Sequence, residues 1–373
     1  MSDLLVTTHT PILRSGQTMR TYGLARALAA GGGGGLTLLY ARFEGERPDE
    51  AFSSIPGIEF HEVRPSRGIR RAAAYGLARA SGVPDGFARG ISPELRDAAA
   101  RLARAPGRGR VIADGPIVGA GLMALARRRP VVYNAHNFES GFRGELSGGA
   151  GAATLRRFER RLLGRCSESW MVSEADLAAA AELCPGARLR YVPNVVDVAA
   201  IPPRAAEPAE PGAVFVASFS YAPNRNGLRF LLEEVYPRVW EQLPQARLTL
   251  VGPGLEQPPS GDPRVRAAGF VEDLGAAYAA ARCALVPLLQ GGGTPLKFIE
   301  ALAYGLPVVA TPRAAAGLAV SDGVDCLLAE DAAEFARKLV AVLRDGAPEI
   351  GARGRATAEE RYSIEALTRL LSR

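Results

Sequence analysis

The sequence predicts an α/β chain built from two doubly wound parallel-sheet domains in tandem, and three observations predict it. Short β-rich runs alternate with helical segments from one end to the other, the pattern of βαβ units on a parallel sheet. A proline-rich stretch without hydrophobic period, residues 199–212, interrupts the alternation, which then restarts. The chain has 373 residues, a length that suits two domains rather than one.

Taken in order, the first half places strands at 4–8, 36–40, 58–63, 110–114, 131–135, 169–172 and 189–192. Helices are expected at 17–30, 93–103, 155–163 and 174–183. Several strands are almost continuously apolar, as Leu36-Thr-Leu-Leu-Tyr40 is, which fits a sheet covered on both faces. After the linker, strands follow at 214–217, 247–251, 265–268, 284–287 and 307–310, with helices at 227–242, 274–281, 295–304 and 332–344. The final segment, 356–371, reads as a helix with no strand after it. Two glycine-rich pieces, 31–35 and 146–153, read as turns and mobile chain. The first follows a helix and precedes a strand, the reverse of the order a phosphate loop needs.

Composition narrows the class. Hydrophobic residues make up 47% and charged residues 23%, the balance of an ordinary globular protein. No run approaches the ~18 apolar residues of a spanning helix, and Met1-Ser-Asp-Leu-Leu-Val6 lacks a basic n-region, so no signal peptide is expected. Cys166, Cys184, Cys283 and Cys326 lie far apart and read as buried thiols of a reducing cytoplasm. His9, His61 and His136 stand alone, which argues against a metal site. The net charge of +6 is uneven: residues 1–200 hold 27 arginines against 19 acids, and 201–373 hold 18 basic against 20 acidic residues. A basic first half suits an anionic partner, either a phosphate-bearing acceptor or a membrane headgroup surface at the cytoplasmic face. It equally suits a solvated, Arg-rich surface. Without interleaved aromatics or a binding signature, nucleic acid is not expected. Oligomeric state is not legible.

One stretch carries chemistry: Gln290-Gly-Gly-Gly-Thr-Pro-Leu-Lys-Phe-Ile-Glu300. It runs from a strand through a glycine loop into a helix. Glycines admit a ligand close to the backbone, Thr294 suits an N-cap, and Pro295 suits the first helical position. The helix N-terminus offers free N–H donors and positive charge for a diphosphate. Only Lys297 and Lys338 are lysines among 45 basic residues, and a cation in a first turn opposes the dipole unless an anion binds. Glu300 shares a face with Lys297 and suits a ribose diol. The alternative is an ordinary βα turn with a surface Lys–Glu pair.

This segment resembles the donor-binding signature of the family 4, or group 1, glycosyltransferases, retaining enzymes of the GT-B fold. Other phrases match in order: Ser15-Gly16, Val192-Pro-Asn-Val-Val-Asp197, Ala217-Ser-Phe-Ser-Tyr-Ala-Pro-Asn-Arg-Asn-Gly227, Val251-Gly-Pro-Gly254 and Gly269-Phe-Val-Glu-Asp-Leu274. The resemblance implies two Rossmann-like domains facing across a cleft, with the last helix returning to the first. Residues 1–200 plus 356–373 then form the acceptor-side domain and 201–355 the donor domain. It implies a UDP-sugar or GDP-sugar as donor substrate, no cofactor, no metal, and an acceptor that is a saccharide, a lipid-linked intermediate or a small molecule. Glu300 would hold the ribose; Gly293, Thr294 and Pro295 would face the phosphates; Val271 and Glu272 would meet the base. Gly16 would approach the diphosphate or acceptor, and His136 the transferred sugar, with Asn137 and Glu139 on the acceptor side; a helix N-terminal carboxylate is the alternative for Glu139.

Two positions depart from the family pattern. Gly292 stands where the family has the first of two glutamates, and the family's basic diphosphate clamp falls near Ser218 and Asn226, with Arg225 adjacent and Lys297 as the remaining point charge. These departures keep open a non-catalytic nucleotide-sugar-binding subunit. A sugar-nucleotide epimerase would need more carboxylates around the sugar, and a dinucleotide oxidoreductase would need G-x-G-x-x-G after the first strand.

Overall fold

The computed structural model describes residues 1–31, 34–142, 150–202, 204, 207–255, 257–291 and 294–372. The chain divides into two compact units, Met1–Val195 with Ile364–Arg373, and Val196–Ser363.

The first unit is a seven-stranded parallel sheet: β1 (Ser2–Thr7), β2 (Leu36–Ala41), β3 (Ile58–Val63), β4 (Arg108–Asp114), β5 (Val131–Asn134), β6 (Glu168–Met171) and β7 (Leu189–Tyr191). Their order is β3-β2-β1-β4-β5-β6-β7. Every residue of β2 is buried, as an inner strand covered on both faces requires. The outer strand β3 carries half-buried and exposed residues instead. Helices begin where the chain supplies caps: Ser92 accepts from the Leu95 N–H ahead of Pro93–Leu102, and Ser173 does the same for Glu174–Leu183. The helices Ile69–Ala80 and Gly115–Leu122 were not anticipated, because Gly76 in one and Gly115, Gly119 and Gly121 in the other break the pattern.

The second unit is a six-stranded parallel sheet: β8 (Gly212–Val216), β9 (Arg247–Val251), β10 (Val265–Gly269), β11 (Cys283–Val286), β12 (Val308–Ala310) and the two-residue β13 (Leu327–Leu328). The order is β10-β9-β8-β11-β12-β13. The expected helix 227–242 starts earlier, at Ala222, and passes through a π turn at Leu231–Val235. Pro237 follows that turn and has no N–H to donate, so the α-helical ladder cannot run through it unbroken.

The expected helix 356–371 is two helices, Pro348–Arg361 and Ile364–Leu371. Between them Tyr362 is buried, its hydroxyl accepting from the Ala319 N–H at 2.6 Å and its carbonyl from the Val196 N–H at 2.9 Å. The first helix therefore stays with the second unit. The second joins the first unit, where Ile364, Leu367 and Leu371 enter the core beside Leu24, Ala27 and Leu28 of the Gly16–Gly31 helix. The pieces 32–33 and 146–149 of the two glycine-rich runs lie outside the described residues. No described helix is long and apolar enough to cross a membrane.

Candidate functional site

In the second unit the strand order reverses between β8 and β11. Open parallel sheets bind ligands outside the carboxyl ends of the strands at such a point. Both ends here lead into the segments that the sequence singles out. Beyond β8, the Ala217–Tyr221 loop packs directly on the turn after β9: a Cβ on Gly252, whose φ is +129°, would lie 2.0 Å from the Ala217 carbonyl oxygen. Only glycine fits there. Ser218 is exposed, its Oγ 2.9 Å from Ser220 Oγ.

Asn224, which the sequence reading passed over, links the two strand ends. Its Nδ2 donates to the Ser218 carbonyl at 2.7 Å, and its Oδ1 accepts from Lys297 Nζ at 2.6 Å. The ammonium also lies 4.9 Å from the centroid of the Phe215 ring on β8. Lys297 is thus held below the loop, and it and Glu300 are not a surface pair. Burial brings Lys297 down to about 7, against the raising effect of Glu300. Burial likewise pushes Glu300 up to about 7, opposed by Lys297 and by Tyr278. Tyr278 is buried and stacks on Tyr304 at 4.7 Å. Burial thus disfavours the charged form of both groups, while each favours the charged form of the other.

Thr294 is not the N-cap. The cap is Pro295, in extended conformation with ψ 112°, and the helix runs Leu296–Ala303. Proline's fixed φ suits a first helical residue, but the ψ turns the chain into the helix one residue later. Gly292 and Gly293 lie outside the described residues. The loop before them is anchored from β12: Thr311 Oγ1 donates to the Leu288 carbonyl at 2.5 Å, and Arg313 Nε to the Gly291 carbonyl at 2.8 Å. The Thr311-Pro312 pair, a capping signal, could have drawn attention to that anchor.

Arg225 is committed elsewhere than the expected clamp, donating to the carbonyls of Phe219 (3.2 Å) and Ser220. Asn226 is half-buried beside it. Val271 and Glu272 follow β10, half-buried and exposed respectively.

The first unit has its own reversal, between β1 and β4, and a polar cluster sits there. Asp114, the last residue of β4, is buried. Its Oδ1 accepts from Asn134 Nδ2 (2.7 Å) and His136 Nε2 (2.7 Å), and its Oδ2 from Thr21 Oγ1 (2.6 Å). Gln17 Nε2 lies 2.8 Å from His136 Nδ1. An amide nitrogen only donates, so Nδ1 accepts and Nε2 carries the proton to Asp114. Gly115, with φ +83°, lets the ring approach the turn: a Cβ there would be 3.0 Å from His136 Cε1. Burial would raise the Asp114 carboxyl, but the pull of His136 and the hydrogen bonds outweigh it and hold it well below the usual carboxylate range.

Arg20 is buried too and donates to Asn134 (2.6 Å) and Asn194 (3.0 Å). His9 sits 3.3 Å from Thr21 Oγ1, and burial lowers its pKa. Of this cluster the sequence marked only His136; Asp114 and Arg20 come from strands and helices 20 to 174 residues away from their partners. Gly16 opens the first helix and is exposed. Asn137 is half-buried. Glu139 is buried at the start of the Glu139–Phe142 helix, whose Glu139 and Ser140 N–H groups donate to Glu159 at 2.8 and 2.9 Å.

Residues 210–345 match the model of the family described as glycosyl transferases group 1. No curated protein matches the chain by sequence. Solved structures match along the whole chain. Sucrose-phosphate synthase from Thermosynechococcus elongatus aligns with TM-score 0.74 at 19% identity, covering 99% of this chain and 96% of that one. Anabaena HepE in complex with UDP and glucose gives 0.70 at 17%, over 99% and 98%. S. aureus TarM gives 0.72 at 10%, over 100% and 98%. The chain therefore has the GT-B fold of these proteins, and the stretch that matches the group 1 glycosyl transferases lies wholly in its second unit, around Asn224, Lys297 and Glu300.

Proposed function

We propose that the chain transfers a glycosyl group from a UDP-sugar to an acceptor hydroxyl, with retention at the anomeric carbon and no resident metal. The observation that carries this reading is that Lys297 and Glu300, both half-buried and each acting on the other's charge, stand at the β8/β11 reversal inside the segment that matches the family. Glu300 takes the ribose hydroxyls. Lys297 and the N–H groups opening the Leu296–Ala303 helix face the diphosphate, where charge develops as the anomeric C–O bond breaks. Val271 and Glu272 meet the base. The acceptor oxygen bonds to the oxocarbenium-like carbon, and its proton passes to the leaving phosphate oxygen. In the first unit Asp114 fixes the His136 ring, and Gln17 yields its place on Nδ1 to a sugar hydroxyl; Gly16, Asn137 and Glu139 border the acceptor. UDP is favoured over GDP because HepE was solved with UDP and with UDP-glucose, and a saccharide acceptor because HepE was also solved with glucose.

A thermal-shift series of UDP, GDP, ADP and dTDP tests the donor, since a ligand of the native state raises the melting temperature. Stabilisation by UDP in the wild type and not in Glu300→Ala is expected; no shift with any nucleotide would sink the reading. A second reading, a nucleotide-sugar-binding subunit without turnover, is favoured by the engagement of Arg225 with its own loop. UDP binding without UDP release from UDP-sugars would establish it.

A further inference from the structure

We propose that the first unit carries a phosphate-binding pocket at the carboxyl ends of β2 and β3, and that it takes a phosphate group borne by the acceptor. The second half of that statement rests on the glycosyl-transfer reading. A cavity of about 550 Å³ is lined by Arg42, Phe43, Arg64, Arg67 and Arg71, with Glu44. Ala41 pairs with Val63 in the sheet, so the residues that follow, Arg42 and Arg64, leave it side by side. Glu62 lies between them, 2.8 Å from Arg42 and 3.8 Å from Arg64. Four guanidinium groups thus face two carboxylates, and the surplus is positive.

Two of the four are not spent on acids. Arg71 donates to the Arg89 carbonyl at 3.1 Å. Arg67 is exposed and has no partner among the described residues. Both flank the start of the Ile69–Ala80 helix, whose cap, Gly68 at φ +126°, has no side chain to accept from the first-turn N–H groups. The first turn contains no acid and two arginines, of which Arg70 is paired with Asp97 at 2.9 Å. Cations at a helix N-terminus oppose the dipole and cost stability, whereas an anion there satisfies dipole, N–H groups and arginines together. Guanidinium forks and converging N–H groups suit the several oxygens of a phosphate. Phe43, 47% exposed on the rim, offers a flat apolar face to whatever carries the phosphate.

The test uses the full chain and inorganic phosphate, titrated by calorimetry into the wild type, the double variant Arg67→Gln/Arg71→Gln and the control Arg353→Gln on the other unit. Arg67 is exposed and Arg71 half-buried, and an unchanged melting temperature confirms folding. Phosphate should bind the wild type and the control alike and bind the double variant at least about tenfold more weakly. Absence of binding to the wild type, or equal binding to the double variant, overturns the proposal. Two further arms identify the carrier: competition by glycerol 3-phosphate means a soluble phosphate, and retention on phosphatidylcholine vesicles containing phosphatidic acid, without such competition, means a lipid-borne one. UDP binding should be the same in the double variant as in the wild type. Loss of UDP binding from both, with phosphate binding intact, removes the donor reading and leaves the pocket standing.

Discussion

Lys297 carries its charge in surroundings that oppose it. Its ammonium is held by Asn224 and the Phe215 ring in a pocket that lowers its pKa to about 7. A diphosphate beside it would raise that pKa again. Nucleotide binding should therefore take up protons at pH 7.5 to 8.5, where Lys297 is largely neutral in the free site and charged in the occupied one. Calorimetry of UDP in two buffers of different ionisation enthalpy reads the uptake directly; identical heats would mean that Lys297 does not meet the phosphates. Glu300→Gln should weaken UDP at least about tenfold, because a carboxylate accepting two hydroxyl hydrogen bonds is worth more than a neutral amide.

Asp114 makes the opposite case, an anion whose partners are all internal. Its folded pKa lies below its unfolded one, so its contribution to stability is present above pH ~4 and is lost as pH falls through the folded value. Asp114→Ala should cost about 3–5 kcal/mol at pH 7, because it strands His136, Asn134 and Thr21. Urea titrations should show the difference from wild type shrinking at acid pH; a constant difference would mean that the charge is unimportant.

Glycine positions decide how closely the elements approach. The turn after β9 lies against the Ala217 carbonyl because residue 252 has no Cβ. Gly252→Ala must move one of them, and with φ +129° the new side chain is strained in any case. A loss of about 2 kcal/mol or more is expected, together with weaker UDP binding, since the displaced loop carries Ser218 and positions Asn224. Unchanged UDP affinity would show that this loop does not frame the donor pocket. The π turn at Leu231–Val235 and the break at Tyr362 belong to the same level: each is imposed by one residue, Pro237 through its missing donor and Tyr362 through its burial.

The two units close their chains differently. The first is completed only by the last helix, Ile364–Leu371, whose Ile364, Leu367 and Leu371 cover the Gly16–Gly31 helix. Each buried aliphatic side chain is worth about 1.5–3 kcal/mol. Removing residues 364–373 should therefore destabilise the first unit by about 5 kcal/mol and leave the second nearly untouched. Hydrogen exchange should show lost protection in the Gly16–Gly31 helix, β1 and β2, and retained protection in β8 and β9; uniform loss in both units would contradict the division.

The alternation of apolar runs and helical segments was enough, by itself, to set the fold class and most strand positions, because inner strands of a parallel sheet are written as continuous apolar residues. The sequence was also enough to mark Lys297, Glu300 and their loop, because the signal that singles them out is local: glycines, a helix start and a cation set against the helix dipole within eleven residues. The contacts that give those residues their properties were not local. Asn224 reaches Lys297 across 73 positions, and Arg20 reaches Asn194 across 174. The arginines at 42, 64, 67 and 71 become one pocket only through the register of β2 on β3. Where hydrogen bonds, burial and charge act over a few ångströms but hundreds of residues, tertiary structure alone decides which side chains meet.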